Sequence, residues 1–167
     1  MPLFSWYMAL WKTEDMQKLL GPSLWGLGAF MRHFTDPNAV LFYLADKDGW
    51  YAVSWLFPMA GGGSWGLWVR PDKRTGGSRE IVNFIMETLA AGLNKWPVLV
   101  NTTTQLDIVG KTEKLGYTFV GSIPHLFEGQ DCYLLYMTRE QFTPKLEAWR
   151  RIYGRRKDRD AGPATVR

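Results

Sequence analysis

The chain has 167 residues, 46% of them hydrophobic and 15% aromatic, which is enough apolar material for one domain with a real core. Its net charge of +4 is uneven, because residues 143–167 carry +5 and residues 1–142 carry −1. This split excludes a nucleic-acid footprint over the whole domain. It predicts a domain at 1–142 followed by a basic helical tail at 143–167.

The cysteine content and the apolar runs bear on the cell compartment. A single cysteine, Cys132, excludes an intrachain disulfide, and with two scattered histidines it makes no zinc site. The first residues lack the basic start of a signal peptide. The apolar run at 19–31 is interrupted by glycine and proline and is too short for a membrane span. We therefore expect a cytoplasmic protein.

In chain order, residues 5–11 predict a first strand, and residues 13–20 and 23–31 predict two helical pieces separated at Gly21-Pro22. The runs AVLFYLA and WYAVSWLFPMA flank an Asp46–Gly49 turn and predict a β-hairpin. Glycines 61–63 connect it to a further strand, SWGLWVRP. These three strands are expected to form an antiparallel meander.

The second half alternates between helical and strand patterns. Apolar residues between 81 and 93 recur at helical spacing, VLVN after Pro97 predicts a short strand, and residues 106–115 predict a helix stopped by Gly116. YTFVGSI and CYLLYMT predict two strands around a turn at 128–131. Thr143 and Pro144 predict the cap and first residue of a last helix. The composition of residues 155–167 is typical of disorder.

A glycine-rich loop, Lys73-Arg74-Thr75-Gly76-Gly77-Ser78, lies between a predicted strand and a predicted helix. One interpretation is a turn followed by a helix capped by Ser78. The other is a phosphate site, since glycines let successive backbone N–H groups point at one spot ahead of a helix N-terminus. Lys73, Arg74 and Arg79 would then add cationic contacts.

The order of elements and two motifs resemble the GNAT (Gcn5-related N-acetyltransferase) family over residues 4–142. The family's Arg/Gln-x-x-Gly-x-Gly/Ala loop matches residues 73–78, with Lys at the first position and Ser at the last. A second family marker appears as Lys114-Leu115-Gly116-Tyr117. The resemblance implies an α/β fold of the α+β type. It comprises a mixed, mostly antiparallel sheet of about seven strands with helices on both faces, here followed by a basic C-terminal helix.

The resemblance also implies acetyl-CoA or coenzyme A as the cofactor. Two strands of the family splay apart, and their exposed backbone takes the pantetheine arm; the matching segments are 67–69 and 98–100. The implied cofactor-binding residues are Leu67, Val69, Lys73, Arg74, Gly76, Gly77, Ser78 and Arg79.

The family's acid and base are not recognisable in this sequence. Counting back from Gly116, the usual Asn falls on Gln105 and the usual Tyr general acid on Thr112, whose hydroxyl has no useful pKa for protonating a thiolate. The strand that often carries a Glu base offers no carboxylate at 64–69. A bound water or a residue such as His125 would have to substitute.

Two functions therefore remain. The first is an acetyl-CoA-dependent acyltransferase acting on an amine, and the loop favours it. The second is a non-catalytic GNAT-fold assembly protein, which the missing acid/base pair favours. A looser resemblance to internal virion proteins of short-tailed phages would place such a protein in a host cytoplasm or a virion.

Other features have a structural and a functional interpretation. The tail either packs on the domain or binds a protein assembly or polyanion; its apolar stripe comprises Leu146, Trp149, Ile152 and Tyr153. Residues 62–66 match G-x-S-x-G, but a strand follows them where a nucleophile elbow needs a helix. Cys132 is expected to be a buried small hydrophobe. The four tryptophans of the meander predict core or, if they face outward, a docking surface: Trp50, Trp55, Trp65 and Trp68.

Overall fold

The computed structural model describes residues 36–74, 78–127 and 129–153. The strand and helices predicted between residues 5 and 31, the glycines of the loop and the tail beyond residue 153 lie outside these ranges. The six described strands are β1 (Val40–Asp46), β2 (Gly49–Met59), β3 (Gly62–Val69), β4 (Val98–Thr103), β5 (Thr118–Phe127) and β6 (Gln130–Thr138). The three α-helices are α1 (Arg79–Lys95), α2 (Leu106–Leu115) and α3 (Arg139–Tyr153), and a 3-10 turn spans Pro71–Lys73.

The described strands form one mixed sheet in the order β1-β2-β3-β4-β6-β5. The predicted meander is β1-β2-β3, and β3–β4 is the parallel pair among antiparallel neighbours. This is the expected α+β architecture with a mostly antiparallel sheet. The described residues form six strands where about seven were expected, and the strand predicted at 5–11 lies outside the described residues.

Within the meander, β2 and β3 are deeply buried, whereas β1 is an edge strand of the described sheet. Residues 51–57 of β2 are buried without interruption, so both faces of this strand are covered. Trp55, Trp65 and Trp68 are buried, which confirms their interpretation as core, while the half-buried Trp50 stacks on Tyr43 with 4.5 Å between ring centroids. Cys132 is buried as expected. The G-x-S-x-G match lies within β3, which rules out a nucleophile elbow there.

Helices α1 and α2 form where the apolar periodicity predicts them. Ser78 is the N-cap of α1, and its Oγ accepts a hydrogen bond from the Ile81 amide at 3.2 Å. At the other end of the helix, the backbone becomes extended at Trp96, just before Pro97. Helix α2 ends at Gly116, which adopts the left-handed φ of 116° that suits glycine at a helix C-terminus. Residues of all three helices share one apolar cluster against β2, β3, β4 and β6.

Helix α3 begins earlier than the sequence indicates. Thr138 Oγ1 accepts the Gln141 amide at 3.3 Å, and Gln141 Oε1 accepts the Thr138 amide at 2.8 Å. This reciprocal capping box starts the helix at Arg139. The prediction that Thr143 and Pro144 form its start is therefore wrong, because Pro144 lies inside the helix.

The first part of the predicted tail packs on the domain. Leu146 and Trp149 contact the main apolar cluster, and Trp149 Nε1 donates to Asn83 Oδ1 on α1 at 3.2 Å. The other two residues of the predicted stripe lie outward, since Ile152 and Tyr153 are exposed. Up to residue 153, the tail therefore packs on the domain, through Leu146 and Trp149.

Substitution of Gly66 tests how closely the meander packs. A Cβ added at Gly66 would overlap Nε1 and Cε2 of the Trp55 indole, so Gly66→Ala is expected to cost about 1–3 kcal/mol through overpacking. Gly121→Ala in β5 is the control, because its Cβ would meet nothing within 4 Å. Urea denaturation of both variants measures the difference, and equal stabilities would contradict the packing described here.

Candidate functional site

Strands β3 and β4 separate soon after they begin to pair. Their parallel pairing covers two positions, of which the second joins Ser64 and Val100. The same register would next place Trp65 against Asn101. Instead, Nδ2 of Asn101 donates to the Trp65 carbonyl at 3.0 Å. We call this divergence, from Trp65 and Asn101 onward, the β3–β4 fork.

The register of β3 with β2 decides where the β3 backbone points beyond the fork. The Arg70 amide donates to the Tyr51 carbonyl at 2.8 Å, so Val69 belongs to a non-hydrogen-bonded pair of the antiparallel ladder. The N–H and C=O groups of Val69, and two residues earlier those of Leu67, therefore point away from β2 and into the fork. Arg74 Nε donates to the Val69 carbonyl at 2.6 Å.

Unpaired polar atoms collect at the fork. Within the described ranges, three buried side-chain atoms have no hydrogen-bond partner: Trp65 Nε1, Asn101 Oδ1 and the Tyr117 hydroxyl. The rings of Trp65 and Tyr117 stack with 5.9 Å between centroids. Burial raises the pKa of Tyr117 well above its usual value. Because an unpaired buried polar group costs about 1–3 kcal/mol, these three atoms together lower the stability of the described fold.

The Tyr117 hydroxyl gives a prediction of unusual sign. Tyr117→Phe is expected to leave the free energy of unfolding unchanged or to raise it, because it removes an unpaired buried group. Tyr51→Phe is the matched control: Tyr51 is also buried, but interaction with Glu80 adds to burial in raising its pKa to about 12, so loss of this hydroxyl should cost about 1 kcal/mol. Urea unfolding compares the two. A similar loss in both variants would show that the Tyr117 hydroxyl has a partner in the folded protein.

An ion-pair network lies just before the glycine-rich loop. Arg70 contacts Asp46 at 2.9 Å and Asp72 at 2.7 Å, and Lys73 Nζ lies 3.4 Å from Asp46. Burial alone would raise the pKa of Asp46, but hydrogen bonds from Arg70 and the Asp48 amide lower it below its usual value. The hydrogen bond from Arg70 likewise lowers the pKa of Asp72. Lys73 is therefore already paired with the Asp46 carboxylate.

The other predicted loop residues lie around the start of α1. Ser78 is its N-cap, as both interpretations of the loop allow, and Arg79 is its first residue. The Arg79 guanidinium donates to the Tyr153 carbonyl at 3.1 Å, and it also lies 5.3 Å from the centroid of the Tyr153 ring. Gly76 and Gly77 are outside the described residues, so their role and cofactor binding by the whole set stay predictions.

The positions at which the family has its acid and base carry no such group here. Thr112 is only 4% exposed, and its hydroxyl donates within α2 to the Ile108 carbonyl at 2.9 Å. Gln105 precedes α2 and makes no side-chain cap. His125 lies on the edge strand β5, separated from β4 by β6, and its Nδ1 is 3.1 Å from the Gly129 carbonyl. Of these residues, His125 lies two strands away from β4.

Two residues of the fork were not singled out from the sequence. Asn101 ends the apolar run VLVN, and a buried amide after three apolar strand residues was a usable signal. Tyr117 stood in the Lys-Leu-Gly-aromatic marker, but its burial against Trp65 depends on the tertiary structure. The fork forms where two strands stop pairing, and 28 residues of sequence separate these strands.

The chain has the GNAT fold. Solved structures of spermidine N-acetyltransferase SpeG from Vibrio cholerae match it, among them a complex with CoA and spermine at 14% identity and a TM-score of 0.66, covering 83% of this chain and 91% of that one. A SpeG structure with manganese ions matches at 15% identity and a TM-score of 0.56, covering 71% and 75%. A SpeG point mutant matches at 12% identity and a TM-score of 0.57, covering 71% and 76%. At such identities the likeness concerns the fold alone.

No protein-family model and no curated protein sequence matches the chain. Within the described ranges, no helix combines the length and the apolar character needed to cross a membrane.

Proposed function

We propose that the protein binds acetyl-CoA in the β3–β4 fork and transfers its acyl group to an amine. The observation that carries the proposal is the fork. Beyond Trp65, β3 turns the N–H and C=O of Leu67 and the N–H of Val69 away from β2, and the capped helix α1 follows later in the chain. An extended ligand with amide groups finds hydrogen-bond partners on such an edge, and its phosphates find the amide groups of a helix N-terminus.

The residues of the site fit this cofactor in chemistry. When it is bound, the thioester supplies an activated acyl group. The chain's own contribution is to hold and align the reactants, with Leu67 and Val69 along the arm and Ser78 and Arg79 at the phosphate end. Thr112 has no useful pKa and burial raises that of Tyr117, so neither hydroxyl is suited to protonate a departing thiolate. We therefore expect slow transfer.

The test is isothermal titration of the purified protein with acetyl-CoA and with desulfo-CoA, followed by transfer assays on small amines and on peptide amines. Binding of both ligands with release of free thiol only from acetyl-CoA supports the proposal. The absence of heat and of any thermal shift with millimolar acetyl-CoA would rule out the cofactor.

Thr112→Ala tests whether the position retains a general acid. Turnover is expected to change by no more than a few-fold, whereas loss of an intact general acid typically costs about a hundred-fold or more. Thr88→Ala is the matched control, since its buried hydroxyl donates to the Ile85 carbonyl within α1 at 3.0 Å. A large loss of turnover in Thr112→Ala, with coenzyme A affinity kept, would show that the hydroxyl takes part.

A non-catalytic assembly protein is the second candidate. The buried, helix-bonded hydroxyl of Thr112 and the lack of a carboxylate on β3 support it. Binding of acetyl-CoA without transfer to any amine would favour this candidate, of which a phage virion component is one form.

A further inference from the structure

The open edge of β3 at the fork has a side-chain donor at each end. Trp65, Leu67 and Val69 alternate along β3 in its register with β2, so their carbonyls point away from β2 and into the fork. Nδ2 of Asn101 donates to the Trp65 carbonyl at 3.0 Å. Nε of Arg74 donates to the Val69 carbonyl at 2.6 Å. The first and last carbonyls of this edge are therefore occupied by donors of the protein itself.

The two donors differ in how readily a ligand can displace them. Asn101 is only 8% exposed, and its backbone is held in β4 opposite Leu135 of β6. Arg74 is exposed and follows directly after the 3-10 turn Pro71–Lys73. A hydrogen bond in an exposed position has a small net value, because water can replace either partner. The Arg74 contact is therefore the one that a ligand can replace.

The 3-10 turn before Arg74 lies beside the first turn of α1. Lys73 Nζ lies 5.6 Å from the centroid of the Tyr51 ring. Burial, and after it interaction with Glu80 in the first turn of α1, raises the pKa of Tyr51 to about 12. Tyr51 is thus near both segments. Because Arg74 is the next residue after Lys73, it is placed near the start of α1 as well as at the end of β3.

We propose that Arg74 is a specificity-determining residue, which makes the site select a thiol cofactor with phosphates over one without them. Its guanidinium covers the Val69 carbonyl, an acceptor that an amide group of the cofactor's arm would otherwise use. A ligand with the arm alone has to displace this contact and offers the guanidinium no new partner. A ligand that also carries a pyrophosphate offers it a charged acceptor, which guanidinium binds more strongly than a neutral one.

Selectivity of this kind has two sources. The contact with Val69 imposes a cost on the ligand without phosphates, and the contact with phosphate favours the complete cofactor. The inference rests on the proposed function, since it assumes that coenzyme A binds in the fork.

The experiment compares coenzyme A with pantetheine, which has the same arm and thiol but no phosphate. Isothermal titration measures both ligands against the full chain, Arg74→Ala and Arg139→Ala. Arg139→Ala is the matched control: Arg139 is exposed, and its Nε donates to the backbone carbonyl of Leu93, near the end of α1, at 2.9 Å. The control therefore removes the same charge and the same kind of contact from another place. Thermal melting confirms that each protein is folded.

The full chain is expected to bind coenzyme A and to bind pantetheine only weakly. Arg74→Ala should bind pantetheine about five-fold more tightly, because the Val69 carbonyl becomes available to the arm. It should bind coenzyme A about ten-fold less tightly, because a cation that pairs with phosphate is lost. Opposite changes for the two ligands cannot come from a general loss of structure, which would weaken both. Arg139→Ala should bind both ligands as the full chain does.

Any result in which Arg74→Ala binds pantetheine no more tightly than the full chain would overturn the inference and leave the proposed function intact. If only coenzyme A binding is weakened, Arg74 is a phosphate ligand without a selective role. If both ligands are weakened equally, it supports the local structure. A full chain that does not bind coenzyme A would instead remove the proposed function, and the inference with it.

Discussion

Phe142→Ala is expected to lower the free energy of unfolding by about 3–5 kcal/mol, the range for deleting a fully buried aromatic ring. Phe142 is only 2% exposed and belongs to the main apolar cluster, although it stands at the predicted border between domain and tail. The cost arises from lost contacts and from the cavity that remains.

Ile152→Ala on the same helix is the matched control. Ile152 is 65% exposed, so its truncation should change stability by less than about 0.5 kcal/mol. Chemical denaturation of both variants measures the contrast. A loss in Phe142→Ala as small as that in Ile152→Ala would contradict the packing of α3 described here.

Gly76→Asp is expected to abolish coenzyme A binding. In the phosphate interpretation of the loop, the substitution inserts a side chain and a negative charge where the pyrophosphate would lie, and like charges repel strongly at such short distances. Titration with up to millimolar acetyl-CoA measures the loss, and thermal melting shows whether the fold survives.

Gly110→Asp is the control for this prediction. Gly110 lies on α2, where an added Cβ meets nothing within 4 Å, so the variant carries the same new charge away from the loop. It should keep wild-type affinity. Wild-type binding by Gly76→Asp would show that the loop is only a turn before a capped helix.

The elements that the sequence predicted well are those with local causes. The spacing of apolar residues between 81 and 93 and the glycine at 116 define α1 and the end of α2, because periodicity and left-handed backbone act over a few residues. The start of α3 was misplaced because two local signals compete. A Thr-Pro pair at 143–144 resembles a helix start, but the capping box of Thr138 and Gln141 acts first.

The candidate site was only partly predictable, because its geometry depends on contacts between residues that are far apart in the sequence. The segment at 67–69 was assigned from a family resemblance, and the direction of its backbone follows from its register with β2. The fork depends on where two parallel strands stop pairing, and at that point the side-chain amide of Asn101 bonds to the Trp65 carbonyl. No periodicity in the sequence reports such a contact.

The place of β4 in the sheet has a consequence for synthesis. Its partner on the side away from β3 is β6, which begins about 27 residues after β4 ends, because β5 is made first and lies on the far side of β6. At about 5–20 residues per second, the ribosome needs more than a second to deliver that partner. During this interval the side of β4 that faces away from β3 has no partner strand, and such an open strand edge can pair with another chain.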